Sequence, residues 1–392
     1  MTKACNTNGA GAPDSMLILG STGSIGKQTL DVAKRLNIRV DAICAHRDVA
    51  SVEAQAREYK VRACAMGDES AAAELRTRLA DTNVLVYGGS QGITQMIADS
   101  HAPLALNAII GQAGLASTLT VLHEGKQLAL ANKESLVVAG QIVMDLARRK
   151  GIKVRPVDSE HCAIAQCLGC GEMSEVNRLI LTASGGPFFG KKRADLGMVS
   201  ARDALAHPTW SMGAKITIDS ASMMNKGFEI IEACHLFELP ADRVDVVVHR
   251  ESIIHSMVEY IDRSIIAQLA VPDMRLCIQH ALTNEKREQG CIEPLDLVKV
   301  GTLSFAEPDA ETFVLLNLAK VAMKRGGAST AVLNAANEVA VEAFLQDRIG
   351  FLKLFDVVCE TVERLPLAAQ AVALDDILAY DSRAREIASE LL

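Results

Sequence analysis

Apolar runs and helical stretches alternate through the first 157 residues of this 392-residue chain. Short apolar runs, of the length that buried strands have, are each followed by a stretch in which apolar residues recur with helical spacing. This alternation predicts a Rossmann-like, doubly wound parallel sheet with helices on both faces. The predicted strands are 16–19, 40–45, 63–66, 84–87, 104–110, 128–131 and 154–157. The predicted helices are 27–35, 70–79, 93–99, 115–124 and 135–150.

The pattern changes after residue 157, first to mixed strands and helices and then, beyond residue 308, to helices. Between these two parts, residues 285–289 form a charged stretch, and the segment 293–306 has prolines at Pro294 and, just beyond it, at Pro308. These features predict an irregular arm. The predicted strands of this part are 179–182, 215–218, 244–249, 253–260 and 265–269, and the predicted helices are 272–282, 311–324, 330–346, 350–363 and 374–391. We therefore predict a nucleotide-binding domain at 1–157, an α+β catalytic domain at 158–284, a linker arm at 285–308 and a four-helix bundle at 309–392.

Composition is that of a soluble globular enzyme, with 49% hydrophobic and 22% charged residues. The net charge of -8 argues against a nucleic-acid or membrane-surface partner. The first 15 residues lack the apolar segment of a leader, and no run approaches the roughly 18 apolar residues of a membrane span, so we expect a cytoplasmic protein. The 10 cysteines show no framework spacing, which favours reduced thiols. Cys162, Cys167 and Cys170 beside His161 could bind zinc, but buried thiols are favoured because no second pair follows at zinc-finger spacing.

A glycine-rich turn, GSTGSIG at residues 20–26, joins the first predicted strand to the first predicted helix. Glycines let the backbone turn sharply and approach a phosphate, which the free N–H groups of the helix N-terminus can bind. The turn therefore indicates nucleotide binding, with an ordinary tight turn as the alternative. At the end of the next strand, Arg47 favours the 2′-phosphate of NADP, whereas the neighbouring Asp48 suits a ribose hydroxyl. A solvated charged turn is the alternative for His46, Arg47 and Asp48.

Two groups of polar residues predict a metal site. Asp158 and Glu160 follow the strand at 154–157, and in extended geometry alternate side chains share a face. Asn225 and Glu229 stand at i and i+4 on one face at the start of a helix. Three carboxylates would form an oxygen site for magnesium or manganese rather than zinc. The alternative is an ordinary pair of exposed carboxylates.

Hydroxyl, amide and basic side chains follow other strands of the chain. Ser184 and Ser220 come after the predicted strands at 179–182 and 215–218, and together with Asn225 and Lys226 they would satisfy a phosphate monoester. The alternative is that the serines cap turns or helices. Lys133, after the strand at 128–131, could contact substrate or simply begin a helix in solvent.

The segment HPTWSMG at 207–213 has no apolar period and contains the only tryptophan, Trp210, so we interpret it as a loop that closes over a ligand. His207 could bind an anionic substrate or shuttle protons, or be an exposed histidine without a role. His255, inside an apolar run, is interpreted as a structural histidine. Asn334, Asn337 and Glu338 lie on an apolar helix, where they either bond within the bundle or contact the site.

Six motifs, in the same order and at compatible spacings, resemble the 1-deoxy-D-xylulose 5-phosphate reductoisomerase family from about residue 16 to the end. They are GSTGSIG at 20–26, ANKE at 131–134, VDSEH at 157–161, HPTWSMG at 207–213, DSASMMNKGFE at 219–229 and NAANEVAVEAFL at 334–345. The resemblance implies a homodimer that uses NADPH and a divalent metal ion, Mn²⁺ or Mg²⁺. It also implies the reaction, in which a phosphorylated deoxyketose is rearranged and reduced to 2-C-methyl-D-erythritol 4-phosphate for isoprenoid synthesis. The rival hypotheses are a plain NADP-dependent dehydrogenase and a non-catalytic nucleotide sensor.

The resemblance also implies roles for individual residues. The metal ligands would be Asp158, Glu160 and Glu229, which with Lys133 and His207 would be the catalytic residues. Substrate would contact Lys133, Ser159, Glu160, Ser184, His207, Trp210, Ser220, Asn225, Lys226 and Glu229. The cofactor would contact Thr22, Gly23, Ser24, Ile25, Asn132, Glu134 and Gly213, together with His46, Arg47 and Asp48, which replace the family's usual Gly-Lys-Asn. Two further departures, Arg263 for a turn glycine and Leu276-Cys277 for Thr-Pro, lie away from the predicted site.

Overall fold

The computed structural model describes residues 11–210, 212–365 and 373–392. Residues 1–10 of the N-terminal stretch and Ser211 of the HPTWSMG segment lie outside the described residues. No helix within the described ranges is both long and apolar enough to cross a bilayer.

A seven-stranded parallel sheet forms the N-terminal half, as the alternating pattern predicts. Its strands run in the order β4-β3-β2-β1-β5-β6-β7. The order reverses between β1 and β5, and in open α/β sheets ligands bind at the carboxyl ends of the strands beside such a reversal. The strands are β1 Ser15–Leu19, β2 Arg39–Ala45, β3 Ala63–Met66, β4 Leu85–Gly88, β5 Leu104–Asn107, β6 Gln127–Leu130 and β7 Val154–Pro156.

Helices follow the strands of this sheet, and they bury apolar side chains against both of its faces. The strand predicted at 104–110 is shorter than expected, because the side chain of Asn107 turns back to accept from the backbone N–H of Ile109 at 3.1 Å. The helices of this half are α1 Ser24–Arg35, α2 Val49–Tyr59, α3 Glu69–Arg78, α4 Gly89–Asp99, α5 Ala113–His123, α6 Glu134–Lys150 and α7 Ser159–Leu168.

A smaller four-stranded sheet follows, with the order β11-β10-β8-β9. Strand β8 pairs in parallel with β9 and antiparallel with β10, so this sheet is mixed. Its strands are β8 Val176–Ala183, β9 Val244–Val248, β10 Ile254–Tyr260 and β11 Ile265–Leu269. The accompanying helices are α8 Ala201–Ala204, α9 Ala214–Ala221, α10 Met224–Phe237, α11 Met274–Leu282 and α12 Leu297–Val300. The short helix α12 lies inside the segment predicted to be irregular.

The strand predicted at 215–218 is wrong, because these residues belong to helix α9. The β-branched run Ile216, Thr217 and Ile218 favours a strand by propensity alone. In the structure the hydroxyl of Thr217 donates to the carbonyl of Gly213 at 2.8 Å, and Ile218 is fully buried in the core. Tertiary packing therefore overrides local propensity here, and Ser220 lies on a helix rather than after a strand.

Four helices form the C-terminal part of the described chain, at bounds close to those predicted: α13 Leu315–Arg325, α14 Ser329–Leu345, α15 Phe351–Arg364 and α16 Leu374–Glu390. Helix α14 is buried along most of its length and packs on the other three and on α6 and α9. Its apolar side chains share one core with α10 and with the second sheet. The C-terminal helices are thereby joined to the elements that bear the polar motifs.

Helices α6 and α10 cross at an unusual contact. Helix α6 has a kink at Ala139, where φ is -138° and ψ is 34°. A Cβ atom at the next residue, Gly140, would lie 2.2 Å from a ring carbon of His235 on α10. A side chain at position 140 would require that imidazole to move, so glycine lets the two helices pack closely around it.

Candidate active site

A cavity of about 940 Å³ lies at the carboxyl edge of the parallel sheet, between this sheet and the elements around β8 and α10. Most of the predicted site residues line it, although they come from distant parts of the chain. The predicted residues in its wall are Gly23, Ser24, Ile25, Asn132, Lys133, Glu134, Asp158, Ser159, Glu160, Ser184, His207, Trp210, Gly213, Ser220, Asn225, Lys226 and Glu229. The structure places Thr22, His46, Arg47 and Asp48 outside this wall.

Three carboxylates converge in the middle of the cavity. Asp158, Glu160 and Glu229 each have an oxygen atom within 4.8 Å of the others. The predicted reason for their proximity is wrong, because β7 ends at Pro156 and Asp158 begins helix α7. The Asp158 carboxylate caps this helix by accepting from the backbone N–H of Glu160 at 3.0 Å. Both carboxylates therefore face the cavity from one helix start, and Glu229 meets them from α10.

Two buried lysines accompany the carboxylates. The Lys133 ammonium donates to Asp158 Oδ2 at 2.8 Å and lies 3.6 Å from Glu229 Oε1. The Lys226 ammonium donates to Glu160 Oε1 at 2.9 Å and also to Glu229. Burial and the charge of Glu160 raise the pKa of Glu229 to about 8, against the opposing effect of Lys226. So much negative charge in a small volume is what a divalent cation would stabilise.

Glu232 and His161 extend this cluster, and sequence reasoning missed the role of both. Glu232 Oε2 accepts from the Lys133 ammonium at 3.0 Å, and burial raises the pKa of Glu232 to about 7. His161 Nε2 lies 2.9 Å from the backbone carbonyl of Glu229, so the N–H of the imidazole is on Nε2. Glu232 is one helical turn beyond Glu229, which is a signal that could have indicated a shared face.

Ser184 and His207 form a second polar group at the end of β8. His207 Nδ1 accepts from the backbone N–H groups of Thr209 at 3.2 Å and Trp210 at 2.9 Å. Since Nδ1 is an acceptor, the proton of the neutral ring is on Nε2, which faces Ser184 Oγ at 3.0 Å. Burial, with the charge of Arg250, lowers the pKa of His207, so the ring is neutral at pH 7.

Lys226 and Asn225 lie closer to the carboxylates than to the serines. Asn225 Nδ2 donates to Glu229 Oε1 at 2.6 Å, and the ammonium of Lys226 is held between Glu160 and Glu229. The two residues therefore belong to the carboxylate centre, in the same cavity as Ser184. Ser220, on α9, lines the same wall.

Trp210 covers one side of the cavity. Its indole lies 6.1 Å from the ring of His255, centroid to centroid, at an angle of 51°. His255 is 5% exposed and lines the cavity, and burial lowers its pKa. The histidine interpreted from sequence as structural is thus also a wall residue, beneath the tryptophan loop.

The glycine turn provides a close backbone approach at the other end of the cavity. Gly20 has φ of +88°, and a Cβ atom at Gly26 would lie 2.2 Å from the Gly20 carbonyl oxygen. Gly23 is the N-cap residue of α1, and it makes no side-chain hydrogen bond to the first N–H groups of the helix. Gly23, Ser24 and Ile25 line the cavity, so the start of α1 and its first N–H groups lie in the cavity wall, as a phosphate site would require.

The charged turn after β2 is well ordered by its own contacts. The Asp48 carboxylate accepts from the backbone N–H of Ser51 at 3.1 Å and caps α2. Arg47 is exposed and its guanidinium donates to Asp68 at 2.9 Å. Both side chains are exposed, but the Asp48 carboxylate is engaged in capping α2, whereas Arg47 offers a positive charge to a ligand.

Asn132 and Glu134 form the edge beside β6. Asn132 donates to the backbone carbonyls of Ile109 at 2.7 Å and Gly111 at 2.9 Å, which fixes the loop after β5. Glu134 is 6% exposed and accepts from the ammonium of Lys215 at 2.8 Å. Lys215 lines the cavity and was missed, because its partner lies 81 positions earlier in the chain.

The cysteines that the structure describes form no alternative metal centre. All nine cysteines among the described residues are free thiols. Cys162 and Cys167 are buried as expected, whereas Cys170 is exposed, contrary to expectation. Among the described residues, the groupings that could hold a metal ion involve carboxylates and His161 but no cysteine.

Comparison with known proteins places this arrangement in a family. The model of the 1-deoxy-D-xylulose 5-phosphate reductoisomerase family matches residues 16–140, and models of the C-terminal domains of these enzymes match residues 154–237 and 269–387. The 1-deoxy-D-xylulose 5-phosphate reductoisomerase of Acetivibrio thermocellus is 51% identical over 375 residues, which are 96% of this chain and 98% of the relative. The chain belongs to the 1-deoxy-D-xylulose 5-phosphate reductoisomerase family.

Other members of the reductoisomerase family agree with this assignment. The enzyme of Thermoanaerobacter pseudethanolicus is 50% identical over 95% of this chain and 97% of its own. The structure of the Zymomonas mobilis reductoisomerase in complex with NADPH is 42% identical, with a TM-score of 0.90 over 97% of this chain and 99% of that one. A structure of DOX-P reductoisomerase in complex with NADPH, fosmidomycin and magnesium has 38% identity and a TM-score of 0.91, over 96% of this chain and 98% of that one.

Membership of the reductoisomerase family confirms the resemblance drawn from the six motifs. It also confirms that the chain is an enzyme and an oxidoreductase, and the α/β fold class is confirmed by the sheet order and the solved relatives. The domain boundaries and the roles of individual residues stay predictions.

Proposed function

We propose that the cavity catalyses the NADPH- and divalent-metal-dependent conversion of 1-deoxy-D-xylulose 5-phosphate into 2-C-methyl-D-erythritol 4-phosphate, an isoprenoid precursor. The observation that carries the proposal is the convergence of Asp158, Glu160 and Glu229 in the same cavity as the glycine turn. A plain dehydrogenase needs the glycine turn but not the three carboxylates. The ligands NADPH, fosmidomycin and magnesium, bound by solved relatives, support the proposal.

Asp158, Glu160 and Glu229 would hold the metal ion. Their oxygen atoms suit Mg²⁺ or Mn²⁺, and the raised pKa of Glu229 reflects its burial and then the neighbouring charge of Glu160, both of which a bound cation would offset. A bound cation would act as a Lewis acid on the ketone and a neighbouring hydroxyl of the substrate. Lys133, held by Asp158 and Glu232, would keep a protonated ammonium directed at the substrate, beside Ser159.

The phosphate end of the substrate would lie near Ser184. Ser184, Ser220 and Asn225 would supply neutral donors, Lys226 would add positive charge, and His207 would donate from Nε2 because its Nδ1 is engaged by the loop backbone. Trp210, on that same loop, would exclude water from the reacting carbons. The loop and the phosphate site are thus linked through one imidazole.

NADPH would occupy the glycine-turn end. Thr22, Gly23, Ser24 and Ile25 would contact its phosphates at the start of α1, and the close backbone approach at Gly26 supports this assignment. Asn132, Glu134 and Gly213 would contact the portion near the substrate. Arg47 would face the 2′-phosphate, with His46 and Asp48 beside it, because its side chain is exposed while Asp48 caps α2.

The deciding experiment measures NADPH oxidation with 1-deoxy-D-xylulose 5-phosphate after chelation, with and without added Mn²⁺ or Mg²⁺. We expect oxidation only when both the ketose and the metal are present. A protein that binds NADPH but does not oxidise it under any of these conditions would contradict the proposal and favour a nucleotide sensor. Oxidation with a hydroxy-acid or semialdehyde pair, independent of metal, would favour a plain dehydrogenase.

We propose that two copies of this chain form a homodimer through the open face of the smaller sheet. A cavity of about 570 Å³ on this face is lined by apolar side chains, among them Met257, Ile265 and Phe305, and by charged ones that include Arg178 and Asp245. Ile265 and Phe305 are each 50% exposed, and exposed apolar side chains beside polar ones are typical of a subunit interface. Light scattering should give twice the chain mass, and Ile265→Glu should give a monomer; a monomeric native chain would refute this.

We also propose a cytoplasmic location. The nine free thiols among the described residues suit a reducing compartment. Fractionation of cells that express the full chain should place it with cytoplasmic markers; recovery with the membrane or secreted fraction would contradict this.

A further inference from the structure

We propose that Lys215 is a positioning residue for NADPH binding, and that helix α14 holds it in place through Asp219 and Asn337. The inference rests on the proposed function, since it concerns the cofactor end of that cavity. The six motifs leave Lys215 without a role. Through Asp219, the proposal also gives Asn337 of α14 a role outside the helical bundle.

Lys215 links two walls of the cavity. Its ammonium donates to Glu134 Oε1 at 2.8 Å and lies 2.9 Å from Asp219 Oδ2, one turn along α9. The same ammonium lies 5.0 Å from the centre of the Phe228 ring, so an aromatic face covers it as well. The side chain is 21% exposed, whereas those of Glu134 and Asp219 are 8% and 2% exposed. One cation therefore compensates two buried carboxylates.

Glu134 depends on this cation. Burial, the largest single effect, would raise the pKa of Glu134, but the charge and hydrogen bond of Lys215, together with smaller effects that include the charge of Lys133, outweigh burial and lower it, so the carboxylate stays ionised. Its other oxygen accepts from Asn132 at 3.0 Å, and Asn132 in turn holds the carbonyls of Ile109 and Gly111. The orientation of Glu134 and of the loop after β5 thus depends on Lys215. Both belong to the edge that would face the cofactor.

Helix α14 supports Lys215 from the opposite side. Asn337 donates to Asp219 Oδ1 at 2.7 Å, while Asp219 Oδ2 faces Lys215. Asn337 is fully buried, so this contact joins the C-terminal helices directly to the wall of the cavity. The next residue, Glu338, is 2.6 Å from Arg385 of α16, and Gly111 lies close to its carboxylate. Asn337 therefore contacts the wall of the site, and Glu338 contacts the bundle through Arg385.

The position of Lys215 in the chain links the cofactor edge to the tryptophan loop. Lys215 stands two residues after Gly213, at the start of α9, where the HPTWSMG segment ends. Its ion pair with Glu134 attaches the end of this segment to the start of α6. Loss of the pair should therefore disturb cofactor binding more than the chemical step, whose groups lie around Glu229.

The test is a fluorescence titration of the full chain with NADPH, together with steady-state kinetics. The variants are Lys215→Met, Lys215→Arg and Asn337→Leu. The control is Lys126→Met, which removes a buried lysine at the opposite edge of the same sheet, where the ammonium donates to the carbonyls of Ser100 and Ala102. Thermal unfolding is measured for every variant, so that a general loss of stability can be separated from a loss of affinity.

We expect Lys215→Met to raise the Kd for NADPH at least about tenfold and the KM for NADPH in proportion, while kcat at saturating NADPH falls less than about threefold. Lys215→Arg should restore the Kd to within about threefold of the native value, since it keeps the charge. Asn337→Leu should raise the Kd about threefold or more, and it keeps the test valid if Lys215→Met does not fold. Lys126→Met should lower the unfolding temperature without changing the Kd.

Three results would overturn the inference. A Kd for Lys215→Met within twofold of the native value would show that the ion pair is structural only. An unchanged Kd for Asn337→Leu would remove α14 from the arrangement. A native chain that does not bind NADPH at all would refute the proposed function as well, which distinguishes that failure from a failure of Lys215 alone.

Discussion

Substitution of Gly26 by alanine tests whether the glycine turn is built for close backbone approach. A Cβ atom at this position would lie 2.2 Å from the Gly20 carbonyl oxygen and 2.5 Å and 2.6 Å from the Cα and carbonyl carbon of Ser21. All three are backbone atoms in a tight turn, so no side chain can rotate away to make space. The start of α1 would have to move outward relative to β1.

The expected effect follows from this geometry. Forcing one extra carbon into a packed region typically costs about 1–3 kcal/mol, and the rigid neighbours of Gly26 place it at the upper end of that range. Because the displaced helix start is the proposed phosphate site, the same movement would weaken NADPH binding. A loss of about 2 kcal/mol corresponds to a roughly 30-fold higher Kd, since about 1.4 kcal/mol corresponds to a factor of ten.

Urea unfolding and a fluorescence titration with NADPH would measure the two effects separately. Gly350→Ala is the control, because Gly350 also lies at the start of a helix, as the N-cap residue of α15 with negative φ, and a Cβ atom there meets nothing within 4 Å. The control should keep native NADPH affinity and most of its stability. If Gly26→Ala unfolded at the native urea concentration and bound NADPH with native affinity, the close-approach reasoning would be refuted.

Three further predictions concern titratable groups. Glu229→Gln should keep the native circular dichroism spectrum but lower turnover by about a hundredfold or more, because it replaces a negatively charged metal ligand by a neutral amide. Near-normal turnover would contradict the metal assignment. An NMR titration of His207 should give a pKa below 6.5 with the proton of the neutral ring on Nε2, since burial opposes protonation, and a pKa above 6.5 would count against that contact geometry. Burial lowers the pKa of His235 to about 4, so as the pH falls the unfolded chain binds this proton before the folded chain does. The free energy of unfolding should therefore be highest above about pH 6.5 and fall by up to about 3 kcal/mol as the pH drops to 4. Unfolding curves of His235→Gln should show a weaker acid dependence, and an unchanged dependence would argue against this assignment.

The N-terminal half was predictable because its patterns are local. Every predicted strand of the parallel sheet is present, since short apolar runs separated by helical stretches permit few other folds. The glycine turn was found for the same reason, as its strand, turn and helix are contiguous in the chain. The motifs also placed most of the site residues in one cavity.

The errors arose where tertiary packing decides local structure. Residues 215–218 contain three β-branched residues, which favour a strand by propensity. In the structure these residues form a helix, which begins after its N-cap residue Gly213 and buries Ile218 in the core. Asp158 and Glu160 were predicted to share a face of a strand, whereas a helix start brings them together. The residue types were correct in the second case although the geometry was not.

The missed residues have partners that are distant in sequence. Lys215 pairs with Glu134 over 81 positions, and Glu232 pairs with Lys133 over 99. No local pattern records such pairs, because they depend on how two parts of the fold pack together. Only the three-dimensional structure shows that one cation serves two buried carboxylates.

The crossing of α6 and α10 limits how this sequence can change over evolutionary time. A Cβ atom at position 140 would overlap the His235 ring, so a larger residue there requires either that the ring move or that position 235 hold a smaller residue. Lys133 precedes α6 and Glu229 lies on α10, so an uncompensated change would be selected against through activity as well as folding. We therefore expect residues 140 and 235 to vary as a pair among homologues, and a double substitution such as Gly140→Ala with His235→Ala to be more fit than Gly140→Ala alone.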